Sequence, residues 1–241
     1  MDLKNKKILI AGAGISGIGA AALLGKAGIP ASIYDGNEEL DREAIIAKLP
    51  EKMEIAFELG EFKEELADKY DMLVLSPGIS IHKPVAQAFY DRKKPVWGEI
   101  ELAFHFAKGK IAAITGTNGK TTTTALVGSI LREYYKSVFV VGNIGIPFTS
   151  VALDTTKDCA IAAEISSFQL ETTIDFCPEV SAVLNVTPDH LDRHGTMEVY
   201  ADTKFSISKK QNKKQVIVLN YDDEITRAMA QKATARPVMF S

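Results

Sequence analysis

Residues Ile114 to Thr124 read I-T-G-T-N-G-K-T-T-T-T, a run suited to holding the outer phosphates of a nucleotide. Gly116 and Gly119 let the backbone turn its N–H groups toward an anion, and a helix starting just after them adds partial positive charge. Lys120 supplies a mobile cation, and the Thr121 hydroxyl suits Mg²⁺. The general phosphate-loop pattern has its first glycine at the position occupied here by Ile114, so the loop is a shortened variant. Gly116, Thr117, Asn118, Gly119, Lys120, Thr121 and Thr122 are the candidate nucleotide-binding residues. Threonine is a poor helix former, so the hydroxyl-rich turn is expected to face phosphate and metal.

A second glycine turn, Gly12-Ala13-Gly14-Ile15-Ser16-Gly17, lies between an apolar run and a helical pattern, and Asp35 ends the next apolar run. This is the dinucleotide fingerprint in its usual context. Its chemistry is broader than the fingerprint suggests, because a tight turn and a helix N-terminus bind a diphosphate whatever is attached to it. NAD and a UDP-sugar fit equally well at this point. Gly14, Ile15, Ser16 and Asp35 are the candidate contacts, and the Ser76-Pro77-Gly78 turn of the same region is a candidate second wall. Elsewhere, Glu164 ends an apolar strand and is expected to serve Mg²⁺. His190 falls at another strand end. His194 follows it, but Gly195 argues against a continuous helix carrying both. His82 and His105 have no supporting context, and by spacing alone Lys204 reads as a solvated helix lysine.

The elements that must position these groups alternate between strand-like and helical patterns, which predicts α/β architecture with parallel sheets. Strands are expected at Ile8–Ala11, Ala31–Tyr34, Met72–Leu75, Lys110–Ile114, Val138–Val141, Ala160–Ile165, Val180–Asn185 and Gln215–Asn220, and a further one begins at Pro237–Phe240. Helices are expected at Ser16–Ala27, Glu38–Leu49, Lys83–Arg92, Glu99–Ala107, Ala125–Leu131 and Asp222–Lys232. The polar break Lys93-Lys94-Pro95 suggests a Rossmann-like domain over residues 1–94 and a phosphate-loop ATPase domain over residues 95–241. Each strand of the second half ends in polar residues, at 115–121, 142–143, 164–167 and 187–190. Ligands of open parallel sheets bind outside the carboxyl ends of the strands, so these ends are expected to meet in one crevice.

Composition narrows the function classes. The chain has 241 residues, 46% apolar and 24% charged, with a net charge of −3. It is long enough for two modest domains, and it offers no basic surface to argue for nucleic acid. Cys159 and Cys177 make no metal spacing and read as buried free thiols of a reducing compartment. No run reaches transmembrane length and none reads as a signal segment, so a cytoplasmic, membrane-free protein is expected.

Taken together, Thr115–Thr123, Gly142-Asn143-Ile144-Gly145 and the run N-V-T-P-D-H-L-D-R-H-G-T-M-E-V-Y-A-D-T-K over Asn185–Lys204 strongly resemble the Mur ligases of peptidoglycan synthesis. Glu164–Glu171 and Leu75–Ile79 resemble the branch of the family that adds D-glutamate. The resemblance covers essentially the whole chain. It implies three domains, of which length suggests that the first and most of the second are present, the C-terminal amino-acid-binding domain being absent. It implies an ATP-dependent ligase acting on UDP-N-acetylmuramoyl-L-alanine and D-glutamate through an acyl phosphate, with two Mg²⁺ ions. The first glycine turn, Asp35 and Ser76–Gly78 would then hold the UDP part, and Asn143 and Ser166 would orient the muramoyl substrate. Thr121 and Glu164 would hold one magnesium ion. Lys204, carbamylated by CO₂, and His190 would hold the other. Lys120, Glu164, His190 and Lys204 would be the catalytic set. A monomer is expected. Gly36-Asn37 replaces the polar or basic pair that can follow the aspartate in relatives. A fragment of this length is expected to bind substrate without completing turnover.

Overall fold

The structure, a computed structural model, describes residues 3–50, 53–143 and 145–241. Ile144, inside one of the segments above, lies outside them. Two purely parallel sheets account for the architecture. The first carries β1 (Ile8–Ala11), α1 (Ile15–Lys26), β2 (Ala31–Asp35), α2 (Arg42–Ile46), β3 (Ala56–Leu59), β4 (Met72–Leu75), α3 (Pro84–Asp91) and β5 (Val96–Gly98). Its strand order is β3-β2-β1-β4-β5. The order reverses between β1 and β4, so the turns that follow these two strands open onto one crevice.

The second unit runs through α4 (Glu99–Phe106), β6 (Lys110–Thr115), α5 (Lys120–Leu131), β7 (Val138–Gly142), β8 (Ala160–Glu164), α6 (Ser167–Leu170), β9 (Val180–Val183), α7 (Leu191–His194), α8 (Met197–Phe205), β10 (Val216–Asn220), α9 (Glu224–Lys232) and β11 (Arg236–Phe240). The strand order is β11-β10-β9-β6-β8-β7. The phosphate-loop strand β6 is flanked by β8 and β9, so three strand ends lie side by side, with that of β7 next to β8. All five residues of β8 are buried, as expected for an apolar strand covered on both faces.

Several elements differ from the sequence expectation for local reasons. The helix expected at 38–49 contracts to Arg42–Ile46, because the Asp41 side chain accepts the Ala44 N–H at 3.0 Å and so caps a later start. Strand β3 escapes the pattern search because it is a partly exposed edge strand. Strand β5 is only three residues long and pairs with β4, so the first sheet continues past the 94/95 boundary. Helix α5 starts at Lys120 rather than Ala125 and takes in the whole threonine run.

The two sheets are not insulated from each other. One buried cluster includes Ile8, Leu23 and Leu24 of the first unit with Ile100, Phe148, Val151 and Ile161 of the second. A Cβ added at Gly19 of α1 would lie 2.7 Å from Thr149 Oγ1, so helix and loop meet at a distance that only glycine permits. This packing holds the carboxyl ends of the two sheets in a set relation.

Candidate active site

The phosphate loop begins where β6 ends. Gly119 caps α5 with φ +80°, a left-handed conformation that costs other residues about 1–2 kcal/mol. Asn185, just beyond β9, shapes the loop from outside. Its Oδ1 accepts the N–H groups of Thr117 at 3.1 Å and Asn118 at 2.8 Å, and its Nδ2 donates to Asn118 O at 3.0 Å. Lys120 Nζ donates to Gly116 O at 3.0 Å and Thr117 O at 2.9 Å. The ammonium thus rests on the loop's own carbonyls. The threonines of the run are not equivalent. Thr121 engages the site and Thr122 is exposed. Thr124 is buried with an unpartnered hydroxyl.

Glu164, 2% exposed at the end of β8, has both oxygens directed. Oε2 accepts the Thr121 hydroxyl at 2.8 Å, and Oε1 accepts Asn143 Nδ2 at 3.0 Å. A hydroxyl and a carboxylate in contact beside a phosphate loop form an oxygen donor set of the kind Mg²⁺ takes. Across the loop, Lys204 departs from its reading as a solvated helix lysine. It is 1% exposed, donates from Nζ to Gly116 O at 2.8 Å and lies 4.4 Å from the centre of the Tyr200 ring. Burial, and after it the Lys120 ammonium, lower its pKa to about 7 against the opposing pull of Asp189. A neutral amine is therefore accessible to Lys204 at ordinary pH. His190 stands in the left-handed region at φ 52°, uncommon for a residue other than glycine. Its N–H donates to Asp189 Oδ1 at 2.9 Å, and its ring lies 4.8 Å from that of Phe168. Ser166 caps α6 reciprocally with Gln169.

These groups meet around one cavity of about 260 Å³, where Lys120, Asn143, Ser166, His190 and Lys204 are joined by Pro77 and Gly78 of the first unit. The polar strand ends thus converge as the alternation pattern suggested. A second cavity, of about 540 Å³, is lined by Gly14, Ile15, Ser16, Asp35, Ser76, Pro77 and Gly78. Pro77 and Gly78 are common to both, so one turn separates the diphosphate-type pocket from the phosphate loop. Asp35 braces the first glycine turn by accepting the Ala13 N–H at 2.8 Å and the Asn37 N–H at 3.0 Å. Gly17 lets α1 approach β1, since a Cβ there would fall 1.8 Å from Gly12 O.

Sequence reasoning missed Asn185 as the brace of the phosphate loop, and Tyr200, whose hydroxyl lies 3.3 Å from Thr117 Oγ1. It also set aside His194, which is buried. His194 Nε2 lies 3.0 Å from Ser167 Oγ, and its pKa is lowered chiefly by burial. The signal for Asn185 was its place just after an apolar strand next to the crevice. Tyr200 carried none, and Lys204 only through the family resemblance, because neither spacing nor composition reports burial. His105 does have a context. Its Nε2 lies 3.1 Å from Glu101 Oε1, and its ring stacks on Trp97 at 4.3 Å. The Glu101 carboxylate also accepts the backbone N–H groups of Ile174, Asp175 and Phe176, so this group anchors a turn. Cys159 is buried and Cys177 only partly so, and both are free. No helix among the described residues is long and apolar enough to cross a membrane.

Comparison with known proteins places these features in a lineage. A family described as the Mur ligase middle domain matches residues 114–241, and one described as the Mur ligase MurD-like N-terminal domain matches residues 6–98. The UDP-N-acetylmuramoylalanine–D-glutamate ligase of Lachnospira eligens is 54% identical over 242 residues, covering 100% of this chain and 53% of the relative. The protein of the same name from Clostridioides difficile is 41% identical over 242 residues, again covering 100% of this chain and 53% of the relative. The chain spans about half the length of the curated relatives it matches. Among solved structures, the UDP-N-acetylmuramate:L-alanyl-gamma-D-glutamyl-meso-diaminopimelate ligase of Neisseria meningitides superposes with a TM-score of 0.61 at 18% identity, covering 98% of this chain and 78% of that one. The UDP-N-acetylmuramate-alanine ligase of Thermotoga maritima gives 0.55 at 22% identity, covering 97% and 53%. At such identities the likeness speaks for the fold. Two family domains matched in order, one for each sheet, and relatives aligned over the full chain lead to one conclusion: this chain belongs to the Mur ligase family.

Proposed function

We propose that the chain forms the UDP-substrate-binding and ATP-binding parts of a ligase that joins D-glutamate to UDP-N-acetylmuramoyl-L-alanine. The observation that carries this reading is the shared turn. Pro77 and Gly78 line both the diphosphate-type pocket and the cavity holding Lys120, His190 and Lys204. A UDP-linked substrate seated on the first glycine turn would extend its free carboxylate past this turn toward the γ-phosphate of ATP. Ile15, 78% exposed at the mouth of the larger pocket, offers an apolar face to a ring of the substrate.

A carboxylate is a poor electrophile, so it is first activated. A carboxylate oxygen attacks the γ-phosphorus, the bond to the β-bridging oxygen breaks, and ADP leaves. The amine of D-glutamate then attacks the acyl carbon of the acyl phosphate, phosphate leaves with the electron pair of the broken C–O bond, and the amine sheds a proton. Lys120 would move from the loop carbonyls onto the β- and γ-phosphates, neutralising charge that builds during transfer. Asn143 keeps Glu164 facing Thr121, and with Ser166 it would orient the muramoyl substrate beside the phosphate loop.

Thr121 and Glu164 would hold one Mg²⁺, and His190 with a carbamylated Lys204 a second. Bound there, the ions would screen the transferring phosphoryl group. Lys204 suits carbamylation because CO₂ adds only to a neutral amine. The N–C bond forms, a proton leaves, and an anionic oxygen donor replaces an ammonium that could not ligate a cation. The test is ATP-dependent ligation by the full-length protein, following ADP release and the UDP-linked product. Release of ADP only when both UDP-N-acetylmuramoyl-L-alanine and D-glutamate are present supports the reading. No product with that pair, together with tight NADH binding on fluorescence titration, would overturn it. The chain of 241 residues is expected to bind the UDP-linked substrate by calorimetry without ligating it.

A further inference from the structure

The first helical segment after His190 carries an arginine that reaches the turn after β4. The Arg193 guanidinium donates from Nη1 to Pro77 O at 2.8 Å and from Nη2 to Ile79 O at 3.4 Å. On its other side it makes a two-pronged pair with Glu171, Nε to Oε1 at 3.2 Å and Nη2 to Oε2 at 2.5 Å. It also lies 4.0 Å from the centre of the Phe168 ring, and that ring contacts His190. Both charged side chains are largely enclosed, at 12% and 9% exposure. Among the described residues, these are the side-chain hydrogen bonds that reach from the second unit onto the turn after β4.

We propose that Arg193 is a positioning residue that docks the Pro77–Ile79 turn onto the His190 segment, and so sets how a UDP-linked substrate enters the phosphate cavity. The inference rests on the function proposed above and deepens it. Three features support it. The backbone carbonyls that Arg193 grips belong to the one turn common to both cavities. The guanidinium charge is matched by Glu171, so Arg193 is not left free as a phosphate ligand. Only a planar fork can meet a carboxylate along one edge and two carbonyls along the other while stacking on a ring. A lysine at this place offers a single point charge and cannot span them.

Full-length Arg193→Met, Arg193→Lys and Glu171→Gln separate this role from simple scaffolding. Methionine keeps a flexible apolar stem beside Phe168. The expected result for Arg193→Met is a KM for the UDP-linked substrate raised roughly tenfold or more, equivalent to the loss of about one charged hydrogen bond. KM for ATP should stay near wild type, while the melting temperature falls because Glu171 is left without its charged partner. Arg193→Lys should recover little of the loss, and Glu171→Gln should fall between. Unchanged kinetics in Arg193→Met would overturn the proposal. So would an equal rise of both KM values, the mark of a merely structural residue. Calorimetric titration with UDP-N-acetylmuramoyl-L-alanine, and separately with ADP, keeps the two readings apart. If wild type binds the UDP ligand and Arg193→Met binds it equally well, the positioning role alone fails. If wild type binds no UDP ligand, the functional reading fails and takes this inference with it.

Discussion

The two glycine turns of this molecule use the same backbone device and end in different chemistry. Each follows a buried strand of a parallel sheet, each opens a helix of twelve residues, and each is braced by a side chain from a neighbouring segment. In the first turn the brace is the Asp35 carboxylate on the Ala13 N–H, and among the described residues no lysine or arginine lines the pocket. In the second the brace is the neutral amide of Asn185, and two ammonium groups converge on Gly116 O. The first is equipped to hold a diphosphate passively through N–H groups and the helix terminus. The second adds mobile charge and an oxygen pair, Thr121 with Glu164, that can follow a reaction.

The largest effect should come from removing what only the second turn has. Lys120→Ala in the full-length protein is expected to lower kcat by roughly 10²–10³-fold, as losing one transition-state charge contact does. KM for the UDP-linked substrate should stay near wild type, and steady-state ADP release reads both. A rate within a few-fold of wild type would make the second turn as passive as the first.

Exchanging the character of the braces tests the contrast directly. Asn185→Asp places an anion under the phosphate loop and sets a carboxylate oxygen against Asn118 O, where Nδ2 now donates. It is expected to weaken ATP binding roughly ten- to a hundredfold in calorimetry. The converse Asp35→Asn keeps an acceptor for the Ala13 N–H and should change UDP-ligand binding by only about two- to threefold. Equal losses at both sites would remove the electrostatic distinction.

The buried amine gives the second turn a pH dependence of its own. With a pKa of about 7 in the fold, Lys204 should be about one-tenth neutral at pH 6 and about nine-tenths neutral at pH 8. CO₂ capture, followed by ¹³C NMR with labelled bicarbonate, should rise across that window and vanish in Lys204→Met. Stability follows the same sign. The unfolded lysine keeps its proton up to its ordinary range, so between pH 7 and about 10.5 the unfolded chain binds more protons. In CO₂-free buffer the unfolding free energy should therefore climb with pH in that interval, and Lys204→Met should flatten the climb. A flat wild-type profile would return Lys204 to the solvated-lysine reading.

The smallest contrast lies in the capping glycines. Gly119 has φ +80° and space for a Cβ, with Leu184 Cδ1 at 3.7 Å. Gly119→Ala should thus cost about 1–2 kcal/mol from backbone conformation alone. Gly14 has φ −76° and open space around it, so Gly14→Ala should stay within about 0.5 kcal/mol. Denaturant midpoints of the two variants compare them, and equal losses would show that the turns demand the same geometry.

The chain's order of residues by itself determined the elements and the chemistry that local spacing can carry. Apolar runs of strand length, glycines just after them and polar residues at strand ends are short-range features, and they are enough to announce two parallel sheets and their glycine turns, and to raise Thr121, Glu164 and His190 as candidates. Short or edge strands such as β3 and β5 left too little pattern to read. Only the tertiary structure decided what depends on distant segments meeting. It buried Lys204 against Gly116 across 88 positions of sequence, brought Asn185 under the loop, and set Arg193 on the Pro77 turn 116 positions away. The reason is physical. A side chain's pKa and hydrogen-bond partners depend on the dielectric and on the atoms packed around it, and those come from wherever the fold brings them.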